Sequence, residues 1–477
     1  MRRLQRRQED QARPIRVLQV GQGNFLRAFF DQMLDIANES GETNAGVAIV
    51  KPTNRGDLAE FQAQNCLFTV VLRGKEGGTA RQRGRVVRCV QRAVNPYEDY
   101  EGFLALAEEP LLRFVVSNTT EAGLALAAGD GPAARPCPSF PGKLAQFLHA
   151  RWRHFGGDPA KGLVLLPTEL VDDNGARLHA LTRKAAENLG LEPGFAEWLE
   201  NACEFCDTLV DRIVSGYPRD GEELCRQLGY EDRLLTVAEP YALWVIQCKE
   251  PEALERELPL DRAGLPVLFT RDLRPYRLRK LRLLNGGHTG AMPLAYLLGH
   301  DLVRQAMGDG GLRAHLRAML EEEVLPTVPL PEAELRAFLQ KVLERFDNPY
   351  LDHQILSIAL NSTAKWRARI LPSLLDRAGQ TGELPARLSF SLAALLALYL
   401  RWPEGLRDTE EAEAFFDAHR RAPRGEAFVK AYLRAFAPEA LGLDGLAALV
   451  AADLEAIDRH GPRAAMEALA ARRDGAN

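Results

Sequence analysis

The aliphatic run Ile15-Arg16-Val17-Leu18-Gln19-Val20 ends in Gly21-Gln22-Gly23 and continues into Asn24-Phe25-Leu26, and this passage constrains the fold more than any other. Phe25, Phe29, Met33 and Ile36 recur at helical spacing, so a strand, a glycine turn and an amphipathic helix follow one another as at the start of a dinucleotide-binding βαβ unit. Gly21 permits the tight turn. Gly23 lets a pyrophosphate approach backbone N–H groups at the helix N-terminus, where the helix dipole favours negative charge. Cofactor contacts are therefore expected from Gly21, Gly23, Asn24, Phe25 and Leu26. Leu26 stands where the usual fingerprint has its third glycine, and a plain strand-turn-helix would read the same way.

The second strand is expected at 46–50. A carboxylate after it would bond the adenosine ribose and select NAD, but Lys51-Pro52-Thr53-Asn54-Arg55 follows, with Asp57 as the first acid. Its two cations suit a 2′-phosphate, so these residues leave NAD and NADP open. Strands at 67–72 and 86–90, joined through Gly74, Gly77 and Gly78, read as a hairpin insertion. Strands at 111–116 and 162–166 run into the polar loops Ser117-Asn118-Thr119-Thr120-Glu121 and Pro167-Thr168-Glu169-Leu170, the carboxyl-end positions where open α/β sheets take ligands. Helical patterns follow at 176–189 and 193–209, then short strands at 243–246 and 267–270.

Beyond Pro275 only helical periodicity remains, at roughly 279–298, 311–324, 331–345, 352–371, 387–401, 409–420, 425–435, 445–457 and 463–472. A chain of 477 residues is too long for one core. The expected architecture is α/β, with a Rossmann-type domain with insertions over 1–272, an all-helical C-terminal domain over 273–477, and a cleft at their junction.

A net charge of −5 argues against a nucleic-acid binder. Seven cysteines, an odd and scattered number, fit a reducing compartment. Cys203-Glu204-Phe205-Cys206 has redox spacing, but it lies in a helical pattern without a second pair and reads as buried free thiols; no metal site is expected. The longest apolar run, 390–402, is about half of a bilayer span and is predicted to be a core helix. The basic arm Met1-Arg2-Arg3-Leu4-Gln5-Arg6-Arg7 lacks the apolar stretch of a leader, so the protein is expected to be cytoplasmic.

The densest chemistry lies in Arg277-Leu278-Arg279-Lys280-Leu281-Arg282-Leu283-Leu284-Asn285-Gly286-Gly287-His288-Thr289. At about 100° per residue, Lys280, His288 and Asn285 fall near 0°, 80° and 140°, on one broad helix face. A lysine acid/base group, an amide that polarises a carbonyl and an orienting imidazole make a plausible set for carbonyl chemistry. Each glycine of Gly286-Gly287 forgoes about 1 kcal/mol against alanine, which points to close packing on that backbone. A surface lysine, a capping asparagine and a core histidine would give the same string.

Together these strings resemble the mannitol dehydrogenase family, the polyol-specific long-chain dehydrogenases, and within it the branch that interconverts tagaturonate and altronate. The carriers are Gly21-Gln22-Gly23-Asn24-Phe25-Leu26-Arg27-Ala28-Phe29, Ser117 to Gly123, Thr208 to Asp220, Lys280 to His288, and Arg345-Phe346-Asp347-Asn348-Pro349-Tyr350 with His353-Gln354. The resemblance spans most of the chain, from about Ile15 to Leu388. It implies NAD as cofactor, no metal, and hydride transfer between a sugar-acid ketone and its secondary alcohol in hexuronate catabolism. It implies Lys280 as the acid/base group with Asn285 and His288 as positioning partners. Ser117, Thr119 and Glu121 join the cofactor turn, and Glu169, Asp211, Arg212 and Lys365 line the cleft.

Leu170 stands where mannitol- and fructuronate-type members carry an asparagine, a departure that favours the tagaturonate type and removes a second oxyanion amide. Lys365, Arg369 and Arg282 are candidates for the substrate carboxylate, the last two reading more readily as solvated surface charges. Burial is expected to depress the Lys280 pKa toward the roughly 7–8 range of working lysines. The implied partner is a hexuronate or aldonate, without nucleic acid or membrane, on a monomer or small homo-oligomer. Fructuronate reduction, polyol oxidation and a non-catalytic dinucleotide-binding protein are the competing readings.

Overall fold

The structure is a computed structural model that describes residues 1–7, 10 and 12–474. The chain divides into two compact units, Met1–Arg73 with Arg81–Leu273, and Gly74–Ala80 with Arg274–Asn477.

The first unit is built on a six-stranded parallel sheet of β1 (Ile15–Val20), β2 (Gly46–Val50), β3 (Val90–Val94), β4 (Phe114–Ser117), β5 (Val164–Pro167) and β6 (Glu204–Phe205). Their spatial order is 3-2-1-4-5-6, the doubly wound order, so the strand sequence reverses between β1 and β4 and opens a crevice at their carboxyl ends. The alternation of side chains explains why the strands are apolar throughout. Val17, Val47, Ile49, Val116 and Leu166 pack in the core on one face, and Leu18, Ala48, Val50, Val115 and Leu165 pack on the other. Both faces are covered, as parallel sheets require.

The strand expected at 86–90 is two elements. Phe68–Glu76 and Thr79–Val87 form neighbouring strands that turn at Gly77 and Gly78 (φ +59° and +78°), and Val90–Val94 then enters the main sheet as β3. The break between them is made by Asp35, whose Oδ1 accepts the Arg88 and Cys89 amides at 2.7 and 3.1 Å. The helix expected over 193–209 stops at Ala202. There the Glu204 and Cys206 amides bond Leu163 O and Leu165 O at 2.9 Å, so sheet pairing overrides the helical pattern and Cys203 and Cys206 flank an edge strand. All seven cysteines are free and buried.

The second unit is helical. Arg274–Arg279 and Gly286–Leu297 are α-helical, and the segment between them, Lys280–Asn285, is wound as a π-helix. The two glycines that follow it are packing sites: a Cβ on Gly287 would lie 3.3 Å from Leu320 and Phe346, and one on Gly286 would lie 3.3 Å from Arg369 O. The helix expected over 352–371 is divided into Ile355–Ile358 and Ser362–Arg369. Asn361 breaks it in the left-handed region (φ +53°), while Asp408 accepts the amide and hydroxyl of Thr363 and starts the second piece. Ala386–Arg401 is the buried core helix, with the Glu323 carboxylate accepting the Arg387 and Leu388 amides at its N-terminus. Among the described residues no helix is long and apolar enough to cross a membrane.

Candidate active site

The glycine turn has the shape a dinucleotide needs. Gly21 sits at φ +123°, and a Cβ there would approach Asn118 O at 3.0 Å, so no other residue fits. Around Gly23 the space is open, with nothing within 4 Å of where its Cβ would stand. The Gly23-Asn24-Phe25 backbone is thus approachable at the start of the helical segment 24–39, and the turn fits a pyrophosphate. The side chains beside it pack on or bond the protein, with Asn24 exposed and Phe25 half-buried. Leu26 is a core residue, Phe25 stacks on Phe29 with centroids 4.9 Å apart, and the Asn24 amide oxygen accepts from Arg27. Leu26, expected as a cofactor contact, therefore contributes packing, because its side chain fills the space beside Gly21.

Sequence reading missed the support under this turn. Gln19 Nε2 donates to Gly21 O at 3.0 Å and to Asp31 Oδ2 at 3.2 Å. The signal was a glutamine inside an aliphatic strand. Lys51, expected near a 2′-phosphate, is buried and donates to Gly56 O, so it pins the loop after β2 and only Arg55 of the two cations stays exposed.

The loops after β4 and β5 are tied together by one carboxylate. Glu169 is buried and accepts from Ser117 Oγ at 3.1 Å, Thr119 N at 2.9 Å and Thr119 Oγ1 at 3.0 Å. Burial raises its pKa against these hydrogen bonds. Glu169, expected to line a substrate cleft, is a loop clamp that fixes two of the expected cofactor residues. Asn118 adds a second tie, donating to Thr168 O at 2.9 Å. Glu121 and Leu170 are exposed.

Arg212 is placed otherwise than expected for a substrate ligand. Its guanidinium makes five hydrogen bonds, to Ala28 O, Gln32 Oε1, Glu239 O, Pro240 O and Tyr241 O. Burial lowers its pKa to about 10. With its donors committed to the helical segment 24–39 and to the carbonyls of residues 239–241, Arg212 is a structural tie. Asp211 precedes it and is buried at the end of the strand Asp207–Asp211.

On the helical unit, the π-turn changes the expected face. An i→i+5 bonding pattern advances about 80° per residue, so Lys280 and Asn285 are separated by roughly 40° around the axis instead of the 140° of an α-helix. Half-buried Lys280 and Asn285 thereby share one side, at a local winding that recurs at functional sites. One turn on, His288 stacks on Phe346 with centroids 4.0 Å apart and meets the edge of His353 at 5.2 Å. Burial first, then the neighbouring His353, Arg345 and Arg369, hold its pKa well below the ordinary histidine value. Its Nε2 is buried without a hydrogen-bond partner among the described residues, an arrangement that leaves a neutral imidazole one polar contact to make. Lys365 donates to Ile358 O at 3.0 Å, and Arg282 pairs with Asp376 at 2.6 Å and donates to Thr327 O.

A strand-reversal crevice with a glycine turn, joined in one chain to a helical unit bearing a lysine, an amide and an imidazole whose Nε2 has no hydrogen-bond partner among the described residues, defines a dinucleotide-binding protein with a helical C-terminal unit. The mannitol dehydrogenase Rossmann domain matches residues 15–259 and the mannitol dehydrogenase C-terminal domain matches 272–427, and the chain belongs to the mannitol dehydrogenase family. It is 43% identical over 474 residues to an altronate oxidoreductase of Cronobacter sakazakii, covering 96% of this chain and 97% of that one. It is 45% identical over 408 residues to an altronate oxidoreductase of Yersinia enterocolitica, covering 85% and 83%. A crystal structure of D-sorbitol dehydrogenase in substrate-free form shares the fold, with a TM-score of 0.78 at 24% identity over 95% of each chain. So does the Pseudomonas fluorescens mannitol 2-dehydrogenase ternary complex with NAD and D-mannitol, with a TM-score of 0.64 at 20% identity over 96% of this chain and 94% of that one.

Proposed function

We propose that this chain is a cytoplasmic, NAD-dependent oxidoreductase that interconverts D-tagaturonate and D-altronate. The observation that carries the reading is the helix in which Lys280 and Asn285 share a π-turn and His288 follows with an Nε2 that has no hydrogen-bond partner among the described residues. The substrate class is supported by relatives named altronate oxidoreductase at 43% and 45% identity over at least 85% of the chain.

The Gly21 to Leu26 backbone and the clamped loop of Ser117, Thr119 and Glu121 would hold the cofactor, which when bound supplies the hydride to the ketone carbon in the reducing direction. Lys280 Nζ gives its proton to the ketone oxygen as charge builds there, and takes it back in oxidation. The Asn285 amide N–H stabilises the developing oxyanion, and with leucine at 170 no second amide is supplied from that loop. His288, kept neutral by its surroundings, holds a substrate hydroxyl through Nε2.

The test is reduced-nicotinamide absorbance with tagaturonate, fructuronate and fructose, each with NADH and NADPH. Oxidation of NADH fastest with tagaturonate is the expected result. Cofactor binding without turnover of any ketone would leave a non-catalytic protein.

A further inference from the structure

Among the described residues of the helical unit, Arg369 is a partly buried cation that no acid compensates. Arg369 ends the helix Ser362–Arg369 and lies against the first turn of Gly286–Leu297. Its carbonyl oxygen lies 3.3 Å from where a Cβ on Gly286 would stand, and its Nη1 donates to Thr289 Oγ1 at 3.4 Å. Among the described residues it makes no other hydrogen bond and no carboxylate pairs with it. Partial burial lowers its pKa with no acid opposing the shift.

Buried arginines elsewhere in the unit differ: Arg279 pairs with Glu334, Arg282 with Asp376, and Arg387 with Glu322. A partly buried guanidinium without an acid partner gives up hydration that the protein does not fully replace, a condition met at ligand sites more than in structural ties. The surrounding field is positive as well. Arg369 and Arg345 both act on His288, and Arg369 acts on Lys365. Lys365 has Ile358 O as an acceptor and Asp408 as a compensating acid, whereas Arg369 has only a hydroxyl oxygen. A planar fork with one edge anchored and the other free matches the two oxygens of a carboxylate.

We propose that Arg369 binds the carboxylate of the substrate, placed beside His288 so that a sugar acid is selected over a neutral polyol of the same carbon chain. This rests on the sugar-acid reading above and reverses the expectation that Arg369 is a surface charge.

The test compares wild type, Arg369→Met and Arg369→Lys in kcat/KM with NAD on altronate and on the corresponding hexitol, which carries CH2OH in place of the carboxylate. Arg369→Met is expected to lower the altronate value roughly a hundredfold or more relative to the hexitol value, with partial recovery in Arg369→Lys. Its melting temperature is expected to equal or exceed that of wild type, since no protein acid loses a partner. Equal loss on both substrates, an unchanged altronate value, or a lowered melting temperature with both activities reduced would overturn the assignment. Calorimetric titration of altronate into the NAD-loaded proteins gives an independent reading: affinity at least tenfold weaker in Arg369→Met is expected, and equal affinity overturns the proposal. Wild type that neither binds nor oxidises altronate, yet oxidises the hexitol, would refute the sugar-acid reading itself.

Discussion

The polar side chains singled out in the two units differ in what they are bonded to. Around the glycine turn they tie loops together: Glu169 to Ser117 and Thr119, Arg212 to five neighbours, Lys51 to Gly56, and Gln19 Nε2 to Gly21 and Asp31, although Gln19 Oε1 and Asp31 Oδ1 have no partner among the described residues. On the helical unit, His288 Nε2 has no partner among the described residues and Arg369 has only a hydroxyl. A phosphate-binding turn works through backbone N–H groups, so side chains there serve best by stiffening loops. Proton transfer and substrate recognition need side chains with hydrogen-bonding capacity left over, held by packing. The division predicts that substitutions in the first unit act on cofactor affinity and stability, and those in the second on turnover and substrate choice.

The largest departure should come from Lys280→Ala. Loss of a positioned acid/base group is expected to lower kcat by roughly 10²–10⁴-fold, while NADH affinity, measured by fluorescence titration, stays near the wild-type value. Impaired NADH binding with turnover preserved would erase the contrast between the units. Asn285→Ala comes next. As the single oxyanion amide in the proposal it should lower kcat by about 10²–10³-fold, with a smaller change in KM. An unchanged kcat would move the polarising role elsewhere.

Much of this division could be read in the residues, and the exceptions have physical causes. The strand, turn and helix at Ile15 to Ile36 are local, so periodicity and two glycines sufficed. Arg212 and Glu169 are placed in the cleft by the family resemblance, which carries positions and not contacts; their partners at Ala28, Pro240, Ser117 and Thr119 are distant in the chain and became visible only in the fold. The π-turn at Lys280–Asn285 was out of reach of an angular argument that assumes 100° per residue throughout. Arg369, a candidate for the substrate carboxylate, reads more readily as a surface charge for the converse reason. A cation reads as solvated until packing withdraws it from water without supplying an acid.

Glu169→Ala sharpens the comparison from the first unit. Removing the carboxylate frees Thr119 and Ser117 and leaves a buried amide without its acceptor, which costs about 1–3 kcal/mol. The expected result is an NADH KM raised roughly tenfold, the equivalent of about 1.4 kcal/mol, with kcat little changed. A fall confined to kcat would make Glu169 a participant in the chemistry instead of a clamp.

The smallest effect, and the one most specific in its sign, concerns Asp31 beneath the glycine turn. Burial pushes its pKa up to about 8, and Asp35 acts in the same direction against the Gln19 hydrogen bond and the nearby Arg27. An unfolded aspartate titrates near 3.9, so between about pH 4 and 8 the folded chain holds a proton that the unfolded chain has released. Stability contributed by this group is then full below pH 4, declines as pH rises through that window, and levels off above about 8. Asp31→Asn keeps a neutral acceptor for Gln19 and removes the titration. Its melting temperature relative to wild type should increase steadily from pH 5 to pH 8.5, while NADH affinity is retained. A difference independent of pH would mean that Asp31 is ionised in the folded protein, with Arg27 and Gln19 compensating its charge.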